Sequence, residues 1–243
     1  MRYLLLFIVI LIYSDGLGQQ QWAINDTLAV KGQLIYEDDF SDSSDRWVVE
    51  QMPGGTAEFS DGQLEIEDAK GCTVWLREKL HAPILIEYDA VVIDAGGPHD
   101  RVSDLNCFWL ATDSSHPHDF FARSSQRHGK FNHYDSLRLY YVGLGGHHNT
   151  KTRFRRYRGD RNKPLLPEND LSEARYLITP NAVNHIRIVV YDNIVQYYRN
   201  DELVFAFFDP APYGEGYFGI RTVDNHMTVD NFKVYHLDAL DDQ

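Results

Sequence analysis

The feature that most limits how this chain can fold is its punctuation. Short runs rich in β-branched and aromatic residues recur along its length with turn residues between them, and helical periodicity is never sustained. Runs at 57–60 and 63–67 flank Asp61-Gly62, and runs at 194–199 and 203–208 bracket Asn200-Asp201. Such dipeptides accept the left-handed backbone of a tight hairpin turn. Between 84 and 93, Ile84, Ile86, Tyr88, Ala90 and Val92 alternate with their neighbours, as in a strand with two unlike faces. Further strands are expected at 72–77, 105–111, 137–142, 153–158, 184–191, 217–222 and 228–236, and one helical turn within 171–176. This many strands in one chain predicts an all-β domain of two antiparallel sheets packed face to face, with an outer face free to form a groove.

The ends are read separately. Arg2 precedes an apolar run from Leu4 to Ile12, and Ser14, Gly16 and Gly18 supply small residues before Gln19. The pattern predicts a signal peptide over 1–18, a tether over 19–33, the β domain over 34–238 and a short tail over 239–243. The expected location is therefore periplasmic or extracellular. No later stretch approaches the roughly 18 apolar residues of a membrane-spanning helix, so no membrane span is expected. Cys72 and Cys107 are the two cysteines; they read either as a disulfide or as two buried thiols.

The formal charge is −13, which argues against nucleic acid as a partner. One segment runs against that balance. Residues 123–163 hold eleven Lys and Arg and only Asp135 and Asp160 in opposition, a local +9 that leaves −22 for the remainder. Arg forks match carboxylate or sulfate groups, so the island predicts an anion-binding surface. Within it lie Arg127-His128-Gly129-Lys130, Tyr134, and the run from Tyr140 through Gly143, Gly145 and Gly146 to His147, His148 and Asn149. His moves protons near neutral pH and Tyr can return one. His128 and His147 are candidate bases, with Tyr134 and Tyr140 as candidate acids. The expected substrate-binding residues are Arg127, Arg138, His148, Asn149, Arg153, Arg155, Tyr157, Arg221 and His226. Period-two alternation places Arg138 and Tyr140 together on a groove-facing side, and Arg153, Arg155 and Tyr157 together on one face.

Three other patterns are weaker. Glu168-Asn169-Asp170-Leu171-Ser172-Glu173 has the E-x-D-x-x-E spacing of jelly-roll β-glucanases, but it follows Pro167 and reads as loop or short helix. His116-Pro117-His118-Asp119, with Asp113 nearby, could ligate a metal such as zinc, and a polar turn explains it equally well. Asp38, Asp39 and Asp230 are oxygen donors for a structural calcium ion, although no cofactor is required.

The start at 36–40, the run Asp119-Phe120-Phe121-Ala122-Arg123, the block from Tyr134 to Tyr157 and the strand at 216–222 before 228–235 together resemble YesU-type proteins. The resemblance spans about residues 34–237. It implies a concanavalin A-like jelly-roll sandwich and an association with the breakdown of uronic-acid glycans; many such proteins carry only the label "domain of unknown function". The chain lacks the R-x-E-x-R, Q-I-H and Y-x-K-x-G-x-Y-x-Q motifs of jelly-roll polysaccharide lyases, so the likeness to those enzymes is one of fold. The leading expectation is a lyase-like enzyme that eliminates across an anionic glycan, Arg and Asn holding the carboxylate while His and Tyr move the proton. The alternatives are a non-catalytic glycan-binding module and a glycoside hydrolase. In each case the expected partner is an anionic polysaccharide or oligosaccharide.

Overall fold

The computed structural model describes residues 20–42 and 45–240. The expected signal peptide, residues 1–18, lies outside them. In chain order the first strands are β1 (Gln20–Ala23), β2 (Ala29–Asp38), β3 (Trp47–Gln51), β4 (Thr56–Ser60), β5 (Gln63–Asp68) and β6 (Cys72–Leu76). Then come β7 (Leu80–His81), β8 (Ile84–Val92), β9 (Leu105–Thr112), β10 (Arg138–Gly145), β11 (Lys151–Arg158) and β12 (Asp170–Leu171). The last are β13 (Val183–Tyr191), β14 (Ile194–Arg199), β15 (Glu202–Phe208), β16 (Glu215–Thr222) and β17 (Asn225–Ala239).

They form two antiparallel sheets. One has the order β1-β2-β17-β8-β13-β14-β15, with the β4–β5 hairpin joined through β5 to β17. The other runs β12-β11-β10-β9-β16-β6-β3, with β7 paired to β16. The hairpin dipeptides behave as their chemistry requires: Asp61 and Gly62 have φ of 53° and 74°, and Asn200 and Asp201 have 50° and 63°. The expected helical turn is present as a 3-10 turn at Ala174–Tyr176.

The main core lies between the sheets and is built around large rings such as Tyr88, Trp109, Tyr140, Phe154, Tyr197 and Phe218. Cys72 and Cys107 are both buried in it as free thiols. Strand β16 separates them, because Thr222 pairs with Cys72 and Ile220 with Cys107. Of the two readings of the cysteines, the structure has buried thiols. The expected tether is also revised. Residues 20–33 contribute β1 and the first part of β2, and Trp22 packs edge-on against Tyr235 with ring centroids 5.1 Å apart. A small apolar cluster on the outer face of the first sheet holds this hairpin down. Strand β17 likewise carries regular structure to Ala239, into the expected tail. No helix among the described residues is long and apolar enough to cross a membrane.

Candidate functional site

The outer face of the second sheet is where the charge island folds. The connection from β9 to β10, residues 113–137, is long for a compact domain, and loops of such length usually have a task. It lies down on that face rather than running free. Phe120 meets Trp75 edge-on at 4.9 Å and stacks on Tyr217 at 4.5 Å, while Tyr134 packs on Phe108 at 5.3 Å. These rings, with Leu137, Leu139, Tyr141 and Tyr157, make a second hydrophobic core on the far side of the sheet.

Polar side chains fasten the cover. The Arg127 guanidinium donates from Nε and Nη2 to Glu50 Oε1 at 3.0 and 2.7 Å and to the Phe120 carbonyl at 3.0 Å. Tyr134 donates its hydroxyl to Glu50 Oε2 at 2.7 Å, and burial pushes its pKa well above the usual tyrosine range. Arg221 is buried beneath; its Nη1 donates to Thr73 Oγ1 and to the Gly129 carbonyl, each at 2.9 Å. Gly129 is required here. It has φ of +80°, and a Cβ on it would lie 2.2 Å from the Gly71 carbonyl oxygen. Arg127, Tyr134 and Arg221 therefore hold the cover and stand apart from the pocket over β10 and β11. His128 caps the short turn Ser124–Arg127 with φ of 34°, its ring edge-on to His133 at 5.4 Å, also outside the pocket lining.

Beside the cover, over β10 and β11, a pocket of about 410 Å3 remains. That is within the roughly 300–1,000 Å3 of small-ligand sites. Pairing aligns Tyr141 with Arg155, Gly143 with Arg153 and Leu139 with Tyr157, so Tyr141, Gly143, Arg153, Arg155 and Tyr157 share the pocket face. Phe131 of the cover closes one side, its ring 5.6 Å from that of Tyr141. Gly143 makes room for Tyr141, since a Cβ there would sit 2.4 Å from the tyrosine hydroxyl.

At one end the β10–β11 connection turns through Gly145, His147, His148 and Asn149, all with φ between 55° and 67°. Non-glycine residues in this region store strain and persist only where neighbours hold them. Asn149 does the holding, accepting from Ile178 N–H at 2.8 Å and donating to its carbonyl at 3.0 Å. Asn149 is thus a loop clamp. The turn exposes both histidines on the pocket, and His147 Nε2 lies 2.7 Å from Arg153 Nη1. A guanidinium can only donate, so this nitrogen accepts and the ring proton sits on Nδ1.

The pocket is strongly cationic. Arg101, Lys151, Arg153, Arg155 and Lys163 line it, with Asp104 as the carboxylate on its wall among the described residues. Carboxylates restrain most of these bases. Arg153 Nε donates to Asp170 Oδ1 at 2.9 Å, and that bond holds the Asp170 carboxyl below its usual pKa. Lys163 reaches Asp135 at 2.6 Å, and Arg101 reaches Asp104 at 2.9 Å. Arg155 differs: its Nη1 donates to the Lys163 carbonyl at 2.6 Å, and no carboxylate of the described residues pairs with it. Burial raises the Tyr141 and Tyr157 pKa values far enough that both hydroxyls stay protonated at neutral pH.

Of the residues expected from sequence, His147, His148, Arg153, Arg155 and Tyr157 meet in this pocket. Tyr140 does not. It points into the main core, donating its hydroxyl to Asp209 Oδ2 at 2.6 Å beside Trp109 and Tyr213. The alternation of β10 had been assigned to the wrong faces, because the cover buries the outer side and leaves neither face polar. Arg138 lies over the Tyr213 ring at 4.8 Å, in a second cavity with Tyr217, His116 and His118. His226 belongs to the other sheet, held by Asp100 and Glu65 at 2.8 Å each. Tyr141, Phe131, Arg101 and Asp104 were missed. Correct parity in β10 would have found the first, whereas the others arrive by tertiary folding.

The weaker patterns fall elsewhere. Glu168 and Asn169 sit in a 3-10 turn and Asp170 opens β12, so the acidic spacing spans a loop and a two-residue strand. Asp38 is buried and accepts from Phe40 N–H and Trp47 Nε1, while Asp39 caps Ser41. Among the described residues no group of three or more His, Cys, Asp or Glu side chains is placed to hold a metal ion.

The cover and the pocket lie within the stretch that matches a known family, residues 66–232, a domain of unknown function designated DUF6250. The chain belongs to DUF6250. No curated protein matches this DUF6250 chain in sequence at a significant level. Its fold is widely shared. A protein of unknown function with a galectin-like fold from Bacillus subtilis superposes with a TM-score of 0.66 at 18% identity, over 86% of this chain and 98% of that one. The carbohydrate-binding module CBM66 from Bacillus subtilis gives a TM-score of 0.52 at 13% identity, over 78% and 94%. An endo-β-1,3-glucanase from Pyrococcus furiosus gives 0.55 at 11%, over 88% and 97%. At these identities the likeness is one of fold: a jelly-roll sandwich.

Proposed function

We propose that this protein binds an anionic glycan in the pocket over β10 and β11, after export from the cytoplasm. The observation that carries this reading is Arg155, a guanidinium on the pocket wall that donates to a backbone carbonyl and has no carboxylate partner among the described residues. Around it the bases outnumber the carboxylates, and the half-buried Phe131 ring offers a face for a sugar, with Tyr141 and Tyr157 buried in the wall behind. A uronate or sulfated sugar matches both features. The fold shared with a carbohydrate-binding module and a glucanase supports a glycan ligand, and the resemblance to YesU-type proteins supports a uronic acid. The apolar run from Leu4 to Ile12 supports export.

Elimination is a second reading, favoured by His147 beside Arg153 with Tyr141 and Tyr157 nearby. In that chemistry Arg153 turns from His147 to the uronate carboxylate beside Arg155, which frees the His147 Nε2 lone pair to take the proton at C5. The C4–oxygen bond then breaks, and a tyrosine hydroxyl protonates the departing oxygen. Hydrolysis has less support, since it needs two carboxylates facing one bond and Asp104 is engaged by Arg101.

The test is titration of the purified protein with a panel of acidic and neutral oligosaccharides, followed in the ultraviolet for unsaturated uronate. Salt-sensitive binding of acidic sugars alone supports the binding reading, and a rise in absorbance adds elimination. Equal binding of neutral sugars contradicts the anionic assignment.

A further inference from the structure

We infer that the 113–137 cover restricts this pocket to the terminal residue of a sugar chain and excludes internal segments. The inference deepens the glycan reading above and rests on it.

Across the outer face of the second sheet, Glu50 on β3, Trp75 on β6, Arg221 on β16 and Phe108 on β9 lie beneath the cover. A chain laid across these strands would meet Phe120 and Tyr134 already packed there. What remains is split. The pocket over β10 and β11 lies to one side of the cover, and the second cavity, with Tyr217 and Phe120 in its wall, lies to another.

The cover is not built to lift. Its Arg127–Glu50 ion pair is 1% and 0% exposed, and Tyr134 of the cover also donates to Glu50, so lifting the cover would strip a buried charge of all these partners. Gly129 meets the Gly71 carbonyl too closely for any side chain. This is a fixed wall.

Three sides of the pocket are walled. Phe131 closes the β9 side. At one end stand His147 and His148 on a turn clamped by Asn149 to Ile178. At the other, Lys163 is tied to Asp135 of the cover and, through its carbonyl, to Arg155. A chain running along the strands is stopped at both ends, and one running across them is stopped at Phe131, so a sugar enters this space from one side and its chain continues outward.

The experiment is calorimetric titration with a uronic-acid trisaccharide and with longer oligosaccharides of the same repeat, up to polymer. End binding predicts one protein per sugar chain at every length, with affinity per chain constant within about twofold. Several proteins per long chain, or affinity that climbs with each added repeat, would overturn the inference while leaving the anionic-glycan reading intact. Absence of binding at every length, acidic and sulfated alike, would sink that reading and this inference with it. Arg155→Ala supplies the control: it should weaken binding about tenfold or more at all lengths if the same pocket is used throughout.

Discussion

Arg127, in the segment between β9 and β10, and Glu50, on the edge strand β3, meet in a buried ion pair with Nη2 2.7 Å from Oε1. Seventy-seven residues separate them in the chain. This pair fixes where the β9–β10 segment lies, and that placement turns an open sheet face into a walled pocket.

Breaking the pair from one side should therefore be costly. Arg127→Met leaves Glu50 buried without its cation, a change that typically destabilises by about 3–5 kcal/mol. Urea denaturation of Arg127→Met, Glu50→Leu and the double variant measures it. The double variant should recover much of the loss, and a single-variant cost under about 1 kcal/mol would contradict the role given to the pair.

Gly143 should be intolerant of even one methyl group. Its Cβ would lie 2.4 Å from the Tyr141 hydroxyl, so Gly143→Ala must push that ring into the pocket. Overpacking of this kind costs about 1–3 kcal/mol, and ligand affinity should fall with it. Adding Tyr141→Phe removes the colliding oxygen, and partial recovery of the melting temperature is the expected result.

Two histidines predict how stability varies with pH. The Glu87 carboxylate, 3.8 Å from Nε2, raises the His185 pKa, and the Asp89 carboxylate at 2.7 Å adds to it against the effect of burial. Burial alone would lower the His226 pKa, but Glu65 and Asp100 outweigh it and raise it. Since the folded values exceed the unfolded value of about 6.5, both contributions are complete below that pH. They are lost as pH rises through the folded values. Melting temperatures should fall over that alkaline-going range, and His185→Gln with His226→Gln should flatten the profile; an unchanged profile would be contradictory.

The two thiols should be inert in the native state. Burial pushes Cys107 to about 12 and Cys72 further still, so neither forms thiolate at neutral pH. A thiol reagent should label both only on unfolding, and fast native labelling of either would contradict their placement.

How much of this was legible in the sequence depended on whether one strand face met water. In β8 the alternation was clear and located the strand to within a residue or so. In β11 the odd positions were correctly grouped, and Arg153, Arg155 and Tyr157 do share the pocket. In β10 the same reasoning failed, because the cover buries the outer face and Tyr140 satisfies its hydroxyl inside the core through Asp209. The charge island was visible as composition, but its division was not. Arg127 and Arg221 are buried, whereas Arg155 opens on the pocket. Nothing local to Arg127 points to Glu50. Likewise His226 reads as a free imidazole until folding brings Glu65 and Asp100 to its two nitrogens.

The most direct test of the account is the affinity of wild type and Arg155→Ala for one uronic-acid oligosaccharide and its neutral counterpart. The account predicts that wild type prefers the acidic sugar, and that Arg155→Ala loses about tenfold or more for that sugar with stability within about 0.5 kcal/mol of wild type. Undiminished binding of the acidic sugar by a folded Arg155→Ala protein would contradict it.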